Sequence, residues 1–285
     1  MALETLVDVG RLHAELDNPT WRIVDCRFDL ADPARGEHDH AAGHIPGALY
    51  AHLDRDLSSP ITPQTGRHPL PDRQRLIAWL GSRGIDASTQ VVAYDASGGN
   101  MAVRLWWLLR WLGHTRVAVV DGGWQTWNAA GRPVETAPPP PPPACTFEPG
   151  PAAAGVVTTT DIVRQLDRRG DDILLLDVRT GERFRGDAEP IDPVAGHIPG
   201  AVNLPLGDNL NPDGRFKSSD QLRAMYGGLL GRRDPARVAA MCGSGVTACH
   251  SLLAMEIAGL RGGLLYAGSW SEWIRDPARP VATGV

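Results

Sequence analysis

The sequence predicts two similar α/β domains in tandem, each with a mostly parallel β-sheet covered by helices on both faces. Three observations lead to this fold class: the length of 285 residues, a run of prolines near the middle, and motifs that occur once on each side of that run. Most domains hold about 100–150 residues, so a chain of this length has room for two of them.

The proline run from Pro138 to Pro143 predicts the boundary between the domains. Consecutive prolines form an extended polyproline II helix, which rises about 3.1 Å per residue and serves as a semi-rigid spacer. We therefore predict a first domain over residues 1–133, a linker over residues 134–149 and a second domain over residues 150–285.

Three motifs occur in the same order and at nearly constant spacing in both halves, which indicates a tandem duplication rather than a short-period repeat. The matching pairs are Asp25-Cys26-Arg27 with Asp177-Val178-Arg179, the GHIPGA motif at residues 43–48 with that at residues 196–201, and Asp121-Gly122-Gly123-Trp124 with Ala267-Gly268-Ser269-Trp270.

Short apolar runs alternate with helical patterns in each half, as expected for parallel strands that are covered on both faces. The predicted strands are Arg22–Cys26, Gln90–Tyr94, Arg116–Val120, Ile173–Val178, Arg237–Met241 and Gly263–Tyr266. The predicted helices are Met101–Leu112, Val246–Gly259 and one that begins at Thr160-Asp161.

Composition and charge exclude several classes of function. The net charge of −5 and the isoelectric point near 6.0 argue against a nucleic-acid partner. No apolar run approaches the roughly 20 residues of a membrane span, and the first ten residues lack the pattern of a secretory signal. The four cysteines form no disulfide framework. We therefore expect a reducing, cytoplasmic location.

The segment that follows the predicted strand Arg237–Met241 has the pattern of a reactive-cysteine loop. Cys242 follows the strand directly, Gly243 and Gly245 allow a tight curl, and a helix follows. Ligands bind at the carboxyl ends of strands in such sheets, and a curl of backbone amides at a helix start binds anions. We expect such a loop to lower the pKa of the Cys242 thiol and to hold a persulfide anion.

Residues 242–248, CGSGVTA, resemble the active-site loop of the rhodanese-type sulfurtransferases, and the paired GHIPGA motifs extend the resemblance to both halves. It implies two tandem rhodanese-like domains, of which the second is catalytic, and a Cys242 persulfide that carries sulfur to cyanide, a thiol or thioredoxin. It implies neither a metal nor a cofactor. Gly243 and Ser244 are similar to the branch that uses 3-mercaptopyruvate, whereas the thiosulfate branch typically carries Arg-Lys at these positions.

The first half carries Asp95 where the second half carries Cys242. A carboxylate cannot carry a persulfide, so we predict that the first domain is catalytically silent.

The resemblance also implies the residues that bind the donor. Arg183 matches the arginine that binds the donor carboxylate, and it has no counterpart in the first half, whereas Arg179 matches Arg27 and is interpreted as structural. Residues 187–193 lack the second arginine that mercaptopyruvate enzymes often have, and Arg185 is a candidate to replace it. The predicted donor-binding residues are Arg183, Gly243, Ser244, Gly245, Val246 and Thr247.

Two further side chains have alternative interpretations. Ser244 either assists the leaving group of the donor or closes the loop through backbone hydrogen bonds. The resemblance suggests that His44 lies near the cleft and works with Ser244, but His197 occupies the same motif in the second half, which favours a structural role. Thr247 is expected to cap the following helix.

Competing functions remain at this point. A cysteine phosphatase would need an arginine six residues after the nucleophile, where this chain has Ala248. A non-catalytic rhodanese-like binding module would not need Cys242. Within the enzyme class, the alternative is a thiosulfate:cyanide sulfurtransferase. The spacing of His38, His40 and His44 fits no standard zinc pattern, so we interpret this segment as a solvated loop.

Overall fold

The computed structural model describes residues 2–168 and 172–285 of the chain, which form two compact units. Each unit contains one short segment from the other half of the sequence. The first comprises Met1–Ser59, Leu70–Ala153 and Pro212–Phe216, and the second comprises Pro60–Pro69, Ala154–Asn211 and Lys217–Val285. The sequence boundaries at residues 133 and 150 stay a prediction.

Unit 1 is a parallel sheet with helices, and its strands lie in the order β1-β5-β4-β2-β3. Its elements are β1 (Leu6–Val7), α1 (Val9–Ala14), β2 (Trp21–Asp25), α2 (Arg35–Ala42), β3 (Leu49–Tyr50), α3 (Arg73–Ser82), β4 (Gln90–Tyr94), α4 (Ala102–Trp111), β5 (Val117–Val120) and α5 (Gly123–Ala129).

Unit 2 has the equivalent order, β6-β10-β9-β7-β8, and its described strands are also parallel. Its elements are β6 (Gly155–Val157), α6 (Thr159–Asp167), β7 (Leu174–Asp177), α7 (Gly181–Arg185), β8 (Val202–Asn203), α8 (Ser219–Leu230), β9 (Val238–Met241), α9 (Ala248–Ile257), β10 (Leu264–Tyr266) and α10 (Ser269–Trp273). The 3₁₀ turns Leu206–Asn209 and Pro235–Arg237 precede α8 and β9.

Burial along the central strands explains why the chain folds into sheets covered on both sides. Every residue of β4, β5 and β9 is buried, so neither face of these strands meets water. In unit 1, Leu12 and Trp127 belong to one buried core with alternate strand residues such as Val92 and Tyr94. The predicted fold class is confirmed.

The start of α6 differs from the prediction. Thr158, not Thr160, is the capping residue: its side chain accepts from the Asp161 backbone N–H, while the Asp161 carboxylate accepts from the Thr158 N–H. This reciprocal pair satisfies two helix-terminal donors, so the helix begins at Thr159. In the part of the chain that the structure describes, no helix is long and apolar enough to cross a membrane.

Candidate active site

Cys242 lies at the carboxyl end of β9, six residues before α9 begins at Ala248. Its side chain is buried, with 2% of the residue exposed. The Gly245 N–H donates to Cys242 Sγ over 3.1 Å, and the Cys242 N–H donates to Ser269 Oγ over 3.0 Å. The loop therefore directs a backbone amide at the sulfur, as an anion-binding turn requires.

The first residues of α10 hold the backbone of the Cys242 loop through hydrogen bonds. The Trp270 N–H donates to the Cys242 carbonyl over 3.0 Å, and the Ser271 N–H donates to the Gly243 carbonyl over 2.9 Å. Gly245 has φ +78°, and a Cβ there would overlap the Ala267 carbonyl, so only glycine fits. The sulfur position is thus determined by backbone packing.

Ser269 is a further site residue that the sequence analysis missed. Among the described residues it is the one non-glycine with positive φ, at +52°, and its counterpart in unit 1 is Gly123 at +57°. Its hydroxyl donates to the Tyr266 carbonyl over 2.9 Å while accepting from Cys242. This backbone conformation is strained for a serine. We infer that the hydrogen bond of its hydroxyl to the nucleophile loop stabilises the protein by more than the strain costs. The sequence feature that could have identified Ser269 is the replacement of glycine, present at Gly123, by serine at the equivalent position of the repeated motif.

Unit 1 shows what the same backbone turn binds. The Trp124 N–H donates to the Asp95 carbonyl over 2.8 Å, as Trp270 does to Cys242, so the two positions are equivalent. The Asp95 carboxylate accepts four backbone N–H groups at 2.7 to 2.9 Å, from Ser97, Gly99, Met101 and Ala102. The turn in the first unit is therefore an occupied anion site.

A histidine approaches Ser244, but it is His68 rather than the predicted His44. Ser244 Oγ and His68 Nδ1 lie 2.7 Å apart, and the two residues are 7% and 5% exposed. His68 comes from the Pro60–Pro69 segment, which belongs to unit 2. Ser244 lies in the nucleophile loop, two residues after Cys242, and this buried hydroxyl–imidazole pair is suited to move or share a proton.

His44 is buried in unit 1 and stacks on His40, with ring centroids 4.0 Å apart. Its Nδ1 lies 2.8 Å from the His40 carbonyl, and its buried Nε2 has no hydrogen-bond partner among the described residues. His197 lies similarly in unit 2, with Nδ1 2.8 Å from the Phe184 carbonyl and its ring stacked on Phe184. The shared placement supports the structural interpretation of both histidines.

Arg183 contributes to an alternating group of arginines and carboxylates. Its guanidinium donates to Glu189 over 2.7 and 3.0 Å and to Asp192 over 3.1 Å, and Arg67 pairs with the other oxygen of Asp192. Burial raises the pKa of Asp192, an effect that the two arginines do not fully offset. Burial also acts to raise the pKa of Glu189, but hydrogen bonds from Arg183 and from the Asp192 and Ile191 backbone N–H groups, with the charge of Arg183, together outweigh it, so this pKa is lowered.

Arg67 was also missed by the sequence analysis. Its Nη2 would lie 2.8 Å from a Cβ placed on Gly243, and the Arg183 guanidinium nitrogens would lie 3.6 and 3.7 Å away. Both cations therefore lie over the residue next to the nucleophile. The feature that could have pointed to Arg67 is the length of the segment that carries it. Residues 51–72 contain neither helix nor strand, and irregular segments of this length are usually functional.

The other predicted arginines have different surroundings. Arg179 donates to Asp177 over 2.6 Å and to the Gly196 carbonyl over 2.7 Å, as Arg27 does to its own aspartate and glycine in unit 1. This repetition supports a structural role for Arg179. Arg185 pairs with Asp187 over 2.8 Å, and its side chain is 40% exposed.

The remaining loop residues lie between Cys242 and α9. Val246 is 3% exposed, and Cys249 is fully buried with Sγ 3.6 Å from the Gly245 carbonyl, so Cys249 packs in the core. Thr247 occupies the N-cap position, but no capping hydrogen bond from its side chain is found in the described structure; the expected cap is wrong. Its φ of −71° and ψ of −13° are already helical, whereas a capping side chain usually needs an extended residue.

Taken together, the loop in unit 2 directs one backbone N–H at the Cys242 thiol, two guanidinium groups lie over the next residue, Gly243, and the buried Ser244–His68 pair follows. This set can bind a small anion and transfer a group to sulfur. Within the described residues, no cluster of three or more His, Cys, Asp or Glu side chains is arranged to hold a metal ion.

Comparison with known proteins identifies the family. Residues 8–130 and 159–276 match the family described as Rhodanese-like domain. The chain is 46% identical over 286 residues to a probable 3-mercaptopyruvate sulfurtransferase of Pseudomonas aeruginosa, covering 100% of both chains. It is 33% identical to the thiosulfate sulfurtransferase of Mus musculus over 280 residues, covering 93% of this chain and 90% of the other.

Among solved structures, the 3-mercaptopyruvate sulfurtransferase from Leishmania major superposes with a TM-score of 0.83 at 32% identity, covering 95% of this chain and 74% of that one. Family match, relatives and fold agree with the resemblance seen in the loop around Cys242. The chain belongs to the rhodanese family, with two tandem rhodanese-like domains, and it is a sulfurtransferase.

Proposed function

We propose that this enzyme moves a sulfane sulfur from 3-mercaptopyruvate to a thiophilic acceptor through a persulfide on Cys242. The observation that carries the proposal is the Gly245 N–H directed at Cys242 Sγ over 3.1 Å, next to the Ser244–His68 pair. The relative from Pseudomonas aeruginosa, which aligns over the whole chain, supports the choice of donor.

In the first half-reaction, the Cys242 thiolate attacks the sulfur of the donor. A sulfur–sulfur bond forms, and the carbon–sulfur bond breaks with its electron pair going to carbon. The products are the Cys242 persulfide and the enolate of pyruvate, which takes up one proton. The backbone amides of the loop stabilise negative charge on the sulfur, as the equivalent amides hold the Asp95 carboxylate in unit 1.

Ser244 and His68 act on the leaving group. With a proton on Nδ1, His68 donates to Ser244 Oγ, and the serine hydrogen then points to the donor oxygen that becomes the enolate. The pair is buried, so this hydrogen bond operates in a medium of low dielectric constant, where it is stronger than in water. Arg183 binds the donor carboxylate, for which a planar guanidinium is suited.

In the second half-reaction, the persulfide loses its proton and the acceptor attacks the outer sulfur. With cyanide as acceptor, a carbon–sulfur bond forms while the sulfur–sulfur bond breaks, so thiocyanate leaves and the Cys242 thiolate is regenerated. The cycle therefore follows ping-pong kinetics. We propose a thiol or thioredoxin as the acceptor in a reducing, cytoplasmic setting. No metal, organic cofactor or nucleic acid has a role in this scheme.

Mass spectrometry of the intact protein tests the persulfide directly. After treatment with 3-mercaptopyruvate, the mass should rise by one sulfur atom, and cyanide should remove this increase. Cys242→Ala should neither gain the mass nor turn over, whereas Cys249→Ala should do both, because Cys249 packs in the core. A wild-type protein that gains no sulfur from any donor would refute the proposal.

Thiosulfate is the second candidate donor, and two observations favour testing it. The thiosulfate sulfurtransferase of Mus musculus aligns over 93% of this chain, and Arg67 supplies a cation over Gly243. We expect kcat/KM to favour 3-mercaptopyruvate by at least about tenfold, because Ser244 assists an enolate but has no comparable task with sulfite as leaving group. A preference for thiosulfate would reverse the donor assignment and retain Cys242 as the sulfur carrier.

A further inference from the structure

We propose that Arg67 binds the donor: together with Arg183 it holds the anionic group of the sulfur donor over Gly243, in the place that the Asp192 carboxylate occupies at rest. This inference rests on the proposed function and adds to it a residue from the Pro60–Pro69 segment. It also assigns Asp192 a role as an internal counterion that the donor displaces.

Geometry provides the first argument. A Cβ on Gly243 would lie 2.8 Å from Arg67 Nη2 and 3.6 Å from Arg183 Nη2, so both guanidinium groups converge on this residue. Gly243 directly follows Cys242. The sulfur and the carboxylate of 3-mercaptopyruvate stand at opposite ends of a three-carbon chain, so a donor with its sulfur at Cys242 has its carboxylate within reach of these cations.

Incomplete pairing of Arg67 provides the second argument. Its Nη1 pairs with Asp192, but its buried Nε has no hydrogen-bond partner among the described residues. A buried donor without a partner destabilises the resting protein, and an anion that accepts from it would recover that loss. Asp192 itself is 7% exposed, and burial raises its pKa, so its charge is poorly accommodated where it lies.

The segment that carries Arg67 is held firmly in unit 2. The Arg67 N–H donates to Ser271 Oγ over 3.1 Å, and Arg275 Nε donates to the Thr65 carbonyl over 3.0 Å. A Cβ on Gly66 would lie 2.6 Å from the Gly268 carbonyl, so the two backbones are in close contact. One segment thus positions both the His68 imidazole and the Arg67 guanidinium at the loop.

The test compares donors of different charge in the full-length enzyme. Arg67→Gln should raise KM by about tenfold or more for 3-mercaptopyruvate and for thiosulfate, but by less than about twofold for mercaptoacetone, which has a methyl group in place of the carboxylate. Arg67→Lys should retain most of the affinity for anionic donors. Arg237→Gln is the matched control, because this exposed arginine lies at the opposite end of β9 and pairs with Asp172.

A second variant probes the counterion. Asp192→Asn should lower KM for both anionic donors by about threefold or more and leave mercaptoacetone unchanged, since no internal carboxylate then competes for the guanidinium groups. If Arg67→Gln impairs all three donors equally, Arg67 only supports the loop, and the inference is wrong. It is also wrong if no donor is affected.

Binding of pyruvate, measured by calorimetry, separates this inference from the proposed function. Pyruvate has the carboxylate but no sulfur to transfer, so its affinity should fall about tenfold in Arg67→Gln whether or not a persulfide forms. Loss of pyruvate affinity in a protein that gains no sulfur would refute the proposed function and support the role of Arg67. Unchanged pyruvate affinity of Arg67→Gln in an active enzyme would support the proposed function and refute the role of Arg67.

Discussion

Removing the Ser244 hydroxyl should discriminate between donors within one enzyme. Ser244 Oγ lies 2.7 Å from His68 Nδ1 in a site where both residues are less than a tenth exposed. Loss of one preorganised donor to a developing oxyanion typically costs about 2.7–4 kcal/mol, or about 10²–10³-fold in rate. We therefore expect Ser244→Ala to lower kcat/KM for 3-mercaptopyruvate by about 10²–10³-fold.

Thiosulfate should respond differently to the same substitution. Its leaving group is sulfite, which departs as a stable anion and needs no proton, so kcat/KM for this donor should change by less than about threefold. Thiocyanate formation with cyanide as acceptor measures both reactions in one assay. His68→Gln should show the same pattern with a smaller loss, because the serine hydroxyl remains but its partner cannot supply a proton.

Equal losses for the two donors would contradict this reasoning. They would indicate that Ser244 shapes the loop around Cys242 rather than acting on the enolate. The persulfide itself provides the control: after loading with thiosulfate, its discharge by cyanide should proceed at the wild-type rate in Ser244→Ala, because the hydroxyl has no part in that step.

Three further outcomes follow from the structure. Ser269→Gly should unfold at higher temperature than Ser269→Ala, because both lose the hydroxyl that accepts from Cys242, but glycine also removes strain of about 1–2 kcal/mol; the reverse order would show that the strain is absent. Asp95→Ala should lower the melting temperature without loading a second sulfur, since it leaves four buried or part-buried amides without their acceptor. The ionised Glu189 carboxylate, whose pKa is lowered in the folded protein, stabilises the fold above about pH 4.3, and this contribution is lost as the pH falls further. Glu189→Gln carries no charge at this position, so its free energy of unfolding in urea titrations should fall less between neutral and acid pH.

The parts of the fold that were predicted correctly are those with local patterns. The strand Gln90–Tyr94 was predicted at its observed bounds, and the nucleophile loop was recognisable because a strand, Cys242, two glycines and a helix follow one another in the sequence. Strands of two residues, such as Leu6–Val7 and Leu49–Tyr50, were missed, because no periodicity can be read from so short a run.

The parts of the site that were missed depend on contacts between distant segments. His68 and Ser244 are 176 positions apart in the chain, and neither the duplication nor any local pattern connects them. The family resemblance suggested His44 as the partner of Ser244, whereas the repeat of its motif at His197 favoured a structural role. Arg67 lies in a segment without regular structure, where sequence predicts position least well.

The exchange of short segments between the two units limits how this gene can change. A shortened gene that encoded only residues 150–285 would keep Cys242 and Arg183 but lack Arg67 and His68, which the Pro60–Pro69 segment brings to the same unit. The first half of the chain, which carries Asp95 at the position equivalent to Cys242, therefore cannot be removed without also removing Arg67 and His68. Duplication followed by mutual dependence makes reversion to a single-copy ancestor costly, so we expect natural truncations of this chain to be selected against.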